Sequence, residues 1–438
     1  MLLFYCDNIT SRIEYISRFL ISEIGCFEFK MTCDKSEYQA FKGPSVNYSN
    51  HPFEKKEIHI RPSALLFEDS LVTVTPRVEK KEKEIEFRLP GTLAGQWVHD
   101  IFAAAFYLVS RYEEYLPYAP GKYNSFEANA SVSYRNEILE IPLVNVWADA
   151  LKKQILDIFP SVPLSSKKFS SVMSIDIDQA YAFQYRGVKR NLLSFFKNLL
   201  SLNFKFLAAQ TATILFGRKD PYDTYEFLRK IQQESGLQFI YFINLGKYSE
   251  FDKNLDPRNR AMKRLVDELK EHASVGIHPS YFSNEEPEKF KSEINSLTEL
   301  LGKTVTKSRQ HYLKIKMPET YRNLLSNGIT EDYSMGYATH PGFRAGTCTP
   351  FNWFDLLKNE ETSLKIYPIT FMEGNFGEDL GYSPGQAWNA MKESIDRVKK
   401  HEGYFLCIWH NHTVNERFFW KEWKNIFEQT IGKIKNLS

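Results

Sequence analysis

The sequence predicts an α/β protein: an incomplete, seven-stranded (β/α) barrel over residues 168–438, preceded by a smaller α+β domain over residues 1–160. Three observations lead there. From about residue 168 onward, short apolar runs alternate with longer amphipathic ones, the strand-then-helix rhythm of a parallel sheet. Upstream, short β-like runs alternate with charged turns instead. A polar stretch, 161–168, separates the two.

In the first part, strands are expected at 70–78, 84–89 and 130–134. A helix is expected at 95–114, with Trp97, Ile101, Ala104, Tyr107 and Leu108 on its apolar face, and another at 144–158. In the second part, strands are expected at 171–176, 238–244, 274–278, 304–310, 365–371 and 403–409. The run Phe239-Ile240-Tyr241-Phe242-Ile243 is continuously apolar, as in a strand buried on both faces. Asp220-Pro221, Asp256-Pro257 and Ser383-Pro384 each place a capping residue before a proline, a helix start. Ser283 with Glu286 has the spacing of a capping box. Phe290, Ile294, Leu297 and Leu301 then recur at helical spacing, as do Trp388, Met391, Ile395 and Val398. The Leu- and Phe-rich stretch 191–217, broken by Lys197 and Lys205, reads as an amphipathic helix packed on the core. Peripheral contact with a membrane is its second reading.

Composition narrows the function. Hydrophobic residues make up 43% and charged residues 25% of 438, which excludes a disordered or fibrous chain. Lys+Arg at 56 against Asp+Glu at 54 leaves no global field with which to gather nucleic acid. Five cysteines without C-x-x-C spacing argue against a disulfide framework and for a reducing, cytoplasmic location. The start Met-Leu-Leu-Phe-Tyr-Cys-Asp has no basic n-region, and no apolar run reaches the length of a transmembrane helix.

In parallel α/β folds the site lies at the carboxyl ends of the strands. Those ends carry Asp176 and Asp178, then His278, then Arg309 and His311, then Glu373, then His410 and His412. Four of the ten histidines fall there. Carboxylate oxygens and imidazole nitrogens without thiolates suit a divalent ion, Zn²⁺ first, with Co²⁺ or Ni²⁺ also fitting. Such an ion polarises a carbonyl and acidifies a water, while a second carboxylate and a histidine move protons. Taken singly, each residue has a plain structural reading: Asp-x-Asp as a turn, Arg309 as a structural ion pair, Glu373 as an ordinary helix-proximal charge. Their joint placement favours chemistry.

The order of these motifs resembles the polysaccharide deacetylase family (NodB homology, carbohydrate esterase family 4), over about residues 168–438. The resemblance implies an incomplete (β/α) barrel that removes acyl groups from sugar polymers with a divalent metal. It implies Asp176 as general base, Asp178 and His278 as metal ligands and His410 as general acid. The family's second motif histidine would fall at Phe282, and His311 is expected to replace it as ligand. Arg309, Arg344, Tyr281 and Glu373 are expected at the substrate, an acylated sugar. Asp332-Tyr333-Ser334 would fill the next polar segment. Two other readings stay open: a carbohydrate-binding protein with a degenerate barrel, for which Phe282 speaks, and an Asp-x-Asp glycosyltransferase, which lacks a Gly-rich phosphate loop.

Overall fold

The computed structural model describes residues 1–81, 84–91, 97–415 and 418–437. The chain opens on a four-stranded, all-parallel sheet in the order β2-β1-β3-β4. Its strands are β1 (Leu2–Cys6), β2 (Phe29–Thr32), β3 (Ser45–Tyr48) and β4 (Ile58–Ile60). A separate antiparallel pair follows, β5 (Arg77–Lys80) and β6 (Ile85–Arg88). Of the strand expected at 70–78, only its last residues join β5. The segment 130–134 is helical instead, because Ser131 Oγ accepts from Tyr134 N and caps the turn Val132–Arg135.

The helix expected at 95–114 is shorter, Ile101–Val109, and residues 95–96 lie outside the described residues. Asp100 caps it by accepting from Phe102 N and Ala103 N. All nine of its residues are buried, so it is a core helix with no polar face. The helix Leu143–Ile158 agrees with expectation.

A second sheet has nine strands, where seven were expected. They are β7 (Ser170–Ile177), β8 (Phe239–Ile243), β9 (Ser274–Ile277), β10 (Lys307–Ser308), β11 (Glu331–Met335), β12 (Phe351–Asp355), β13 (Glu360–Pro368), β14 (Phe371–Met372) and β15 (Tyr404–His410). The order is β12-β13-β11-β10-β9-β8-β7-β15-β14, and every pairing is parallel except β12 with β13. The strands β13 and β14 lie near opposite edges of this order, yet they are consecutive in the chain. Between them, Ile369 N donates to Met335 O at 2.9 Å and Thr370 N donates to Leu406 O at 2.8 Å. One short segment thus touches both β11 and β15, and the sheet is curled toward closure.

The pleat sorts side chains by face. On β7, Met173, Ile175 and Ile177 join the outer core under the helices, while Val172 joins a smaller inner cluster. That inner cluster also takes Ile240 and Phe242 from β8, Tyr333 from β11, and Leu406 and Ile408 from β15. Continuing these alternations toward the carboxyl ends brings Asp176 and His410 onto the inner face, directly paired in register. The curl therefore has an apolar floor and a polar mouth.

The outer core runs without a break into the first 160 residues. Tyr15 and Phe106 both pack on Phe354, each at 5.1 Å between ring centroids. Arg344 pairs with Glu114, which also receives Arg111.

Helix starts differ from expectation at three places. Ser383 caps Pro384–Lys400 with a full capping box, as its Ser-Pro predicts. Asp220 does not cap a helix; it accepts from the backbone of Ala182, Phe183, Gln184 and Tyr222 and so ties down the loop after β7. Asn259, not Asp256, caps Arg260–His272. Ser283 lies in a tight turn, where its Oγ donates to Ser280 O, and the next helix starts at Pro287 without a side-chain cap. The stretch 191–217 is two helices, Val188–Leu200 and Phe204–Phe216, and no residue of the first is buried.

Candidate active site

Asp178 stands at the centre of the mouth, two residues beyond Asp176 on the β7 exit. Three histidine Nε2 atoms face its carboxylate: His278 at 3.2 Å, His311 at 3.6 Å and His410 at 3.7 Å. In each case the other ring nitrogen is held by an oxygen. His278 Nδ1 lies 2.5 Å from Arg309 O, His311 Nδ1 2.9 Å from Asp252 Oδ1, and His410 Nδ1 2.7 Å from Glu373 Oε1. A carbonyl or carboxylate acceptor calls for a proton on Nδ1 and turns Nε2 inward. This is the outer support that metal-binding imidazoles commonly have.

Asp176 lies beside this group. Its Oδ1 accepts from Arg309 Nη1 at 3.2 Å, and its Oδ2 is 3.8 Å from His278 Nε2. Arg309 is fully buried; it also donates to Ser174 Oγ and Tyr333 O, and its guanidinium lies 4.6 Å over the Phe242 ring.

The charges are strongly coupled. Burial alone would raise the pKa of Asp178, but His311, His410 and His278 outweigh it and hold the carboxyl well below its ordinary range. Burial alone would disfavour the His311 imidazolium, but Asp178 and Asp252 raise it to about 9. Against the same burial, Glu373 and Asp178 raise His410 to about 10. His412 behaves oppositely: burial, then the neighbouring His410, push it down to about 4, so it is neutral.

A cavity of about 230 Å³ opens above these groups. Asp176, Asp178, His278, His311, Glu373, His410 and His412 line its floor, with Tyr123, Tyr312, Trp420 and Met372 among its walls. Tyr123 comes from the first 160 residues and stacks on Tyr312 at 4.5 Å.

Asp178, His278 and His311 offer ligand atoms within 4.8 Å of one another, an arrangement that could hold a metal ion. Asp178 Oδ1 is buried, and His278 Nε2 at 3.2 Å is its polar neighbour, so the two atoms are placed to share a ligand. One carboxylate with two imidazoles matches the donor preference of Zn²⁺ and its neighbours. These residues fit such an ion.

Other expected positions need correcting. Arg309 does not reach the cavity, because Asp176, Ser174 and Tyr333 occupy it from behind. Arg344 is buried against Glu114, with contacts of 2.8 and 2.6 Å, and does not line this cavity. Tyr281 stacks on Phe251 at 3.9 Å beneath Lys314, away from the floor. Glu373 does line the cavity as expected; its Oε1 is taken by His410 and Thr413, and its Oε2 is buried without a hydrogen-bond partner. Phe282 packs against Tyr281 and Phe251 and is not a site residue.

Sequence reasoning missed Asp252, which lies in the loop after β8 and carries no motif. It also missed Tyr123 and Trp420. Asn244, which follows β8 and donates to Asp252 at 2.9 Å, was open to discovery, since it too lies at a strand end.

A family of unknown function, DUF7033, matches residues 2–160. No curated protein matches the chain. Among solved structures, a Mycobacterium smegmatis protein assigned to the polysaccharide deacetylases is 11% identical with a TM-score of 0.42, covering 63% of this chain and 87% of its own. A Pseudomonas aeruginosa PAO1 protein with the same assignment is 11% identical with a TM-score of 0.36, covering 61% and 84%. A Bacillus cereus polysaccharide deacetylase is 9% identical with a TM-score of 0.29, covering 61% and 89%. Likeness at this level says nothing about chemistry, which rests on the geometry above.

Proposed function

We propose that this chain is a metal-dependent hydrolase that removes an acyl group, N-acetyl foremost, from a sugar or polysaccharide. The supporting observation is the convergence of three histidine Nε2 atoms on Asp178, with Asp176 beside it, at the mouth of a curled parallel sheet. The motif order of the sequence supports the same reading. Asp178, His278 and His311 are the residues that would hold the divalent ion, Zn²⁺ before Co²⁺ or Ni²⁺. When bound, it supplies polarisation of the acyl carbonyl and of a water.

The chain's own groups handle the protons. Asp176 is the general base: Arg309, itself held by Ser174, fixes its position, and its Oδ2 is turned toward the cavity floor. His410 is the general acid. Glu373 holds its Nδ1 proton and favours the imidazolium, so Nε2 carries the proton that the leaving amine needs. Tyr123, Tyr312 and Trp420 give the sugar an aromatic wall, and neutral His412 offers a polar edge.

The test is acetate release from N-acetylated oligosaccharides, with and without prior chelation. Release that chelation abolishes and Zn²⁺ or Co²⁺ restores is the expected result. Glycan binding without release, by protein that takes up no stoichiometric metal, would instead favour a binding protein with a degenerate site. Phe282 is the observation on that side.

A further inference from the structure

The connection between β7 and β8 begins with two helices, Val188–Leu200 and Phe204–Phe216, that pack on one another with polar as well as apolar side chains buried. Gln210 and Thr213 are buried between them, and Gln210 Nε2 donates to Asn191 O at 2.8 Å. Asn191 Oδ1, Gln210 Oε1 and Thr213 Oγ1 are buried there without a hydrogen-bond partner. Leu207 is buried and Phe206 packs on Phe183 at 4.9 Å, but most of the large apolar residues point outward. Val188, Leu193, Leu200, Leu202, Leu215 and Phe216 are each between 62% and 85% exposed. Eleven of the twenty-one exposed large apolar residues among the described residues fall within 188–216. Water drives apolar side chains inward, so this polarity suits apolar surroundings instead.

The charge on this segment has one sign. Residues 187–219 carry Lys189, Arg190, Lys197, Lys205, Arg218 and Lys219, and no Asp or Glu. At the base of the pair lies a cavity of about 340 Å³ whose walls include Arg186, Arg190, Lys197 and Lys253 and no carboxylate. Apolar side chains beside an unbroken set of cations are complementary to a negatively charged lipid surface. They are poorly complementary to themselves: a two-fold interface would set the same cations against each other. Each helix has 13 residues, or about 20 Å, which is too short to cross a bilayer core of about 30 Å.

We propose that this helical pair docks the protein onto an anionic lipid bilayer, with its Leu and Phe side chains in the interface and its Lys and Arg side chains among the headgroups. The site would then open close to that surface. Tyr222 lines the basic cavity, and its ring lies 5.2 Å from His412 on the floor of the active-site cavity. Docking does not depend on the hydrolase reading.

The experiment is flotation of the full chain with phosphatidylcholine vesicles, with and without phosphatidylglycerol. Binding to the mixed vesicles only, weakened by added salt, is expected. Leu200→Glu with Phe216→Glu should abolish it. Both side chains are exposed, and an unchanged melting temperature verifies the fold. Lys197→Gln with Lys205→Gln should weaken binding by about thirtyfold. Failure to bind phosphatidylglycerol vesicles, or equal binding by these variants, would overturn the proposal. So would a dimer that Leu200→Glu with Phe216→Glu dissociates while no vesicles are bound, which would assign the face to a second copy.

Discussion

His311 follows β10 at the start of an irregular turn in which Tyr312 and Leu313 take left-handed backbone angles, φ 58° and 49°. Such angles cost non-glycine residues about 1–3 kcal/mol each and persist where surrounding contacts enforce them. Here they accompany a histidine whose two nitrogens are both engaged, by Asp252 and Asp178. On our reading His311 does the work for which Phe282 lacks the chemistry. His311→Ala should therefore weaken Zn²⁺ binding by more than Asp252→Asn, for which about a ten- to hundredfold loss is expected. Calorimetric titration of the chelated protein measures both. Glu373→Gln should keep metal binding intact while lowering the rate of acyl release by about a hundredfold, because His410 loses the partner that favours its imidazolium. At this scale the sequence was legible wherever a polar residue ended an apolar strand: Asp176, Asp178, His278 and His410. It was not legible where a loop residue with no local pattern completes the group, as Asp252 does. Arg309 and Arg344 were misread because one sequence cannot tell a buried guanidinium from one that greets a ligand.

Helix Pro287–Leu301 presents Phe290, Ile294, Leu297 and Leu301 to the core as its spacing predicts, and all four are buried. On the same helix Glu293 accepts from Ser280 N and Oγ and so anchors the turn that follows His278. Burial raises Glu293 from 4.5 to about 7. The folded chain holds that proton more tightly than the unfolded chain. The stability it contributes is full below about pH 4.5 and lost as pH rises through about 7. Melting temperatures across that window should fall for the wild type and fall less for Glu293→Gln. Strand β11 escaped detection because Asp332 and Ser334 alternate with Tyr333 and Met335, and a buried polar strand reads as a loop. Burial raises Asp332 to about 6, and it accepts from Ser334 N and Oγ. Strand β12 was missed with it, since its pairing with β13 is a tertiary fact. The pair 188–216 was seen as amphipathic but placed with the wrong face inward, because periodicity finds an apolar face without saying what it meets.

Across the whole molecule, the first 160 residues contribute packing and one cavity wall. Glu114, Arg344 and Arg111 are all buried where the two parts of the chain meet. Removing one member of such a group strands a charge, so Arg344→Met should cost about 3–5 kcal/mol in denaturant unfolding while leaving metal content unchanged. A change of rhythm near residue 160 is visible in the sequence. The continuous core across it is not, because Tyr15 and Phe354 are brought together only by the fold. The central claim is that Asp178, His278 and His311 form one divalent metal centre. Its most direct test is the metal content of chelator-free purified protein by elemental mass spectrometry, beside Asp178→Ala and His278→Ala. About one ion per wild-type chain, lost in both folded variants, is the predicted result. No ion in the wild type after incubation with Zn²⁺, Co²⁺ or Ni²⁺, or an ion retained in both variants, would contradict it.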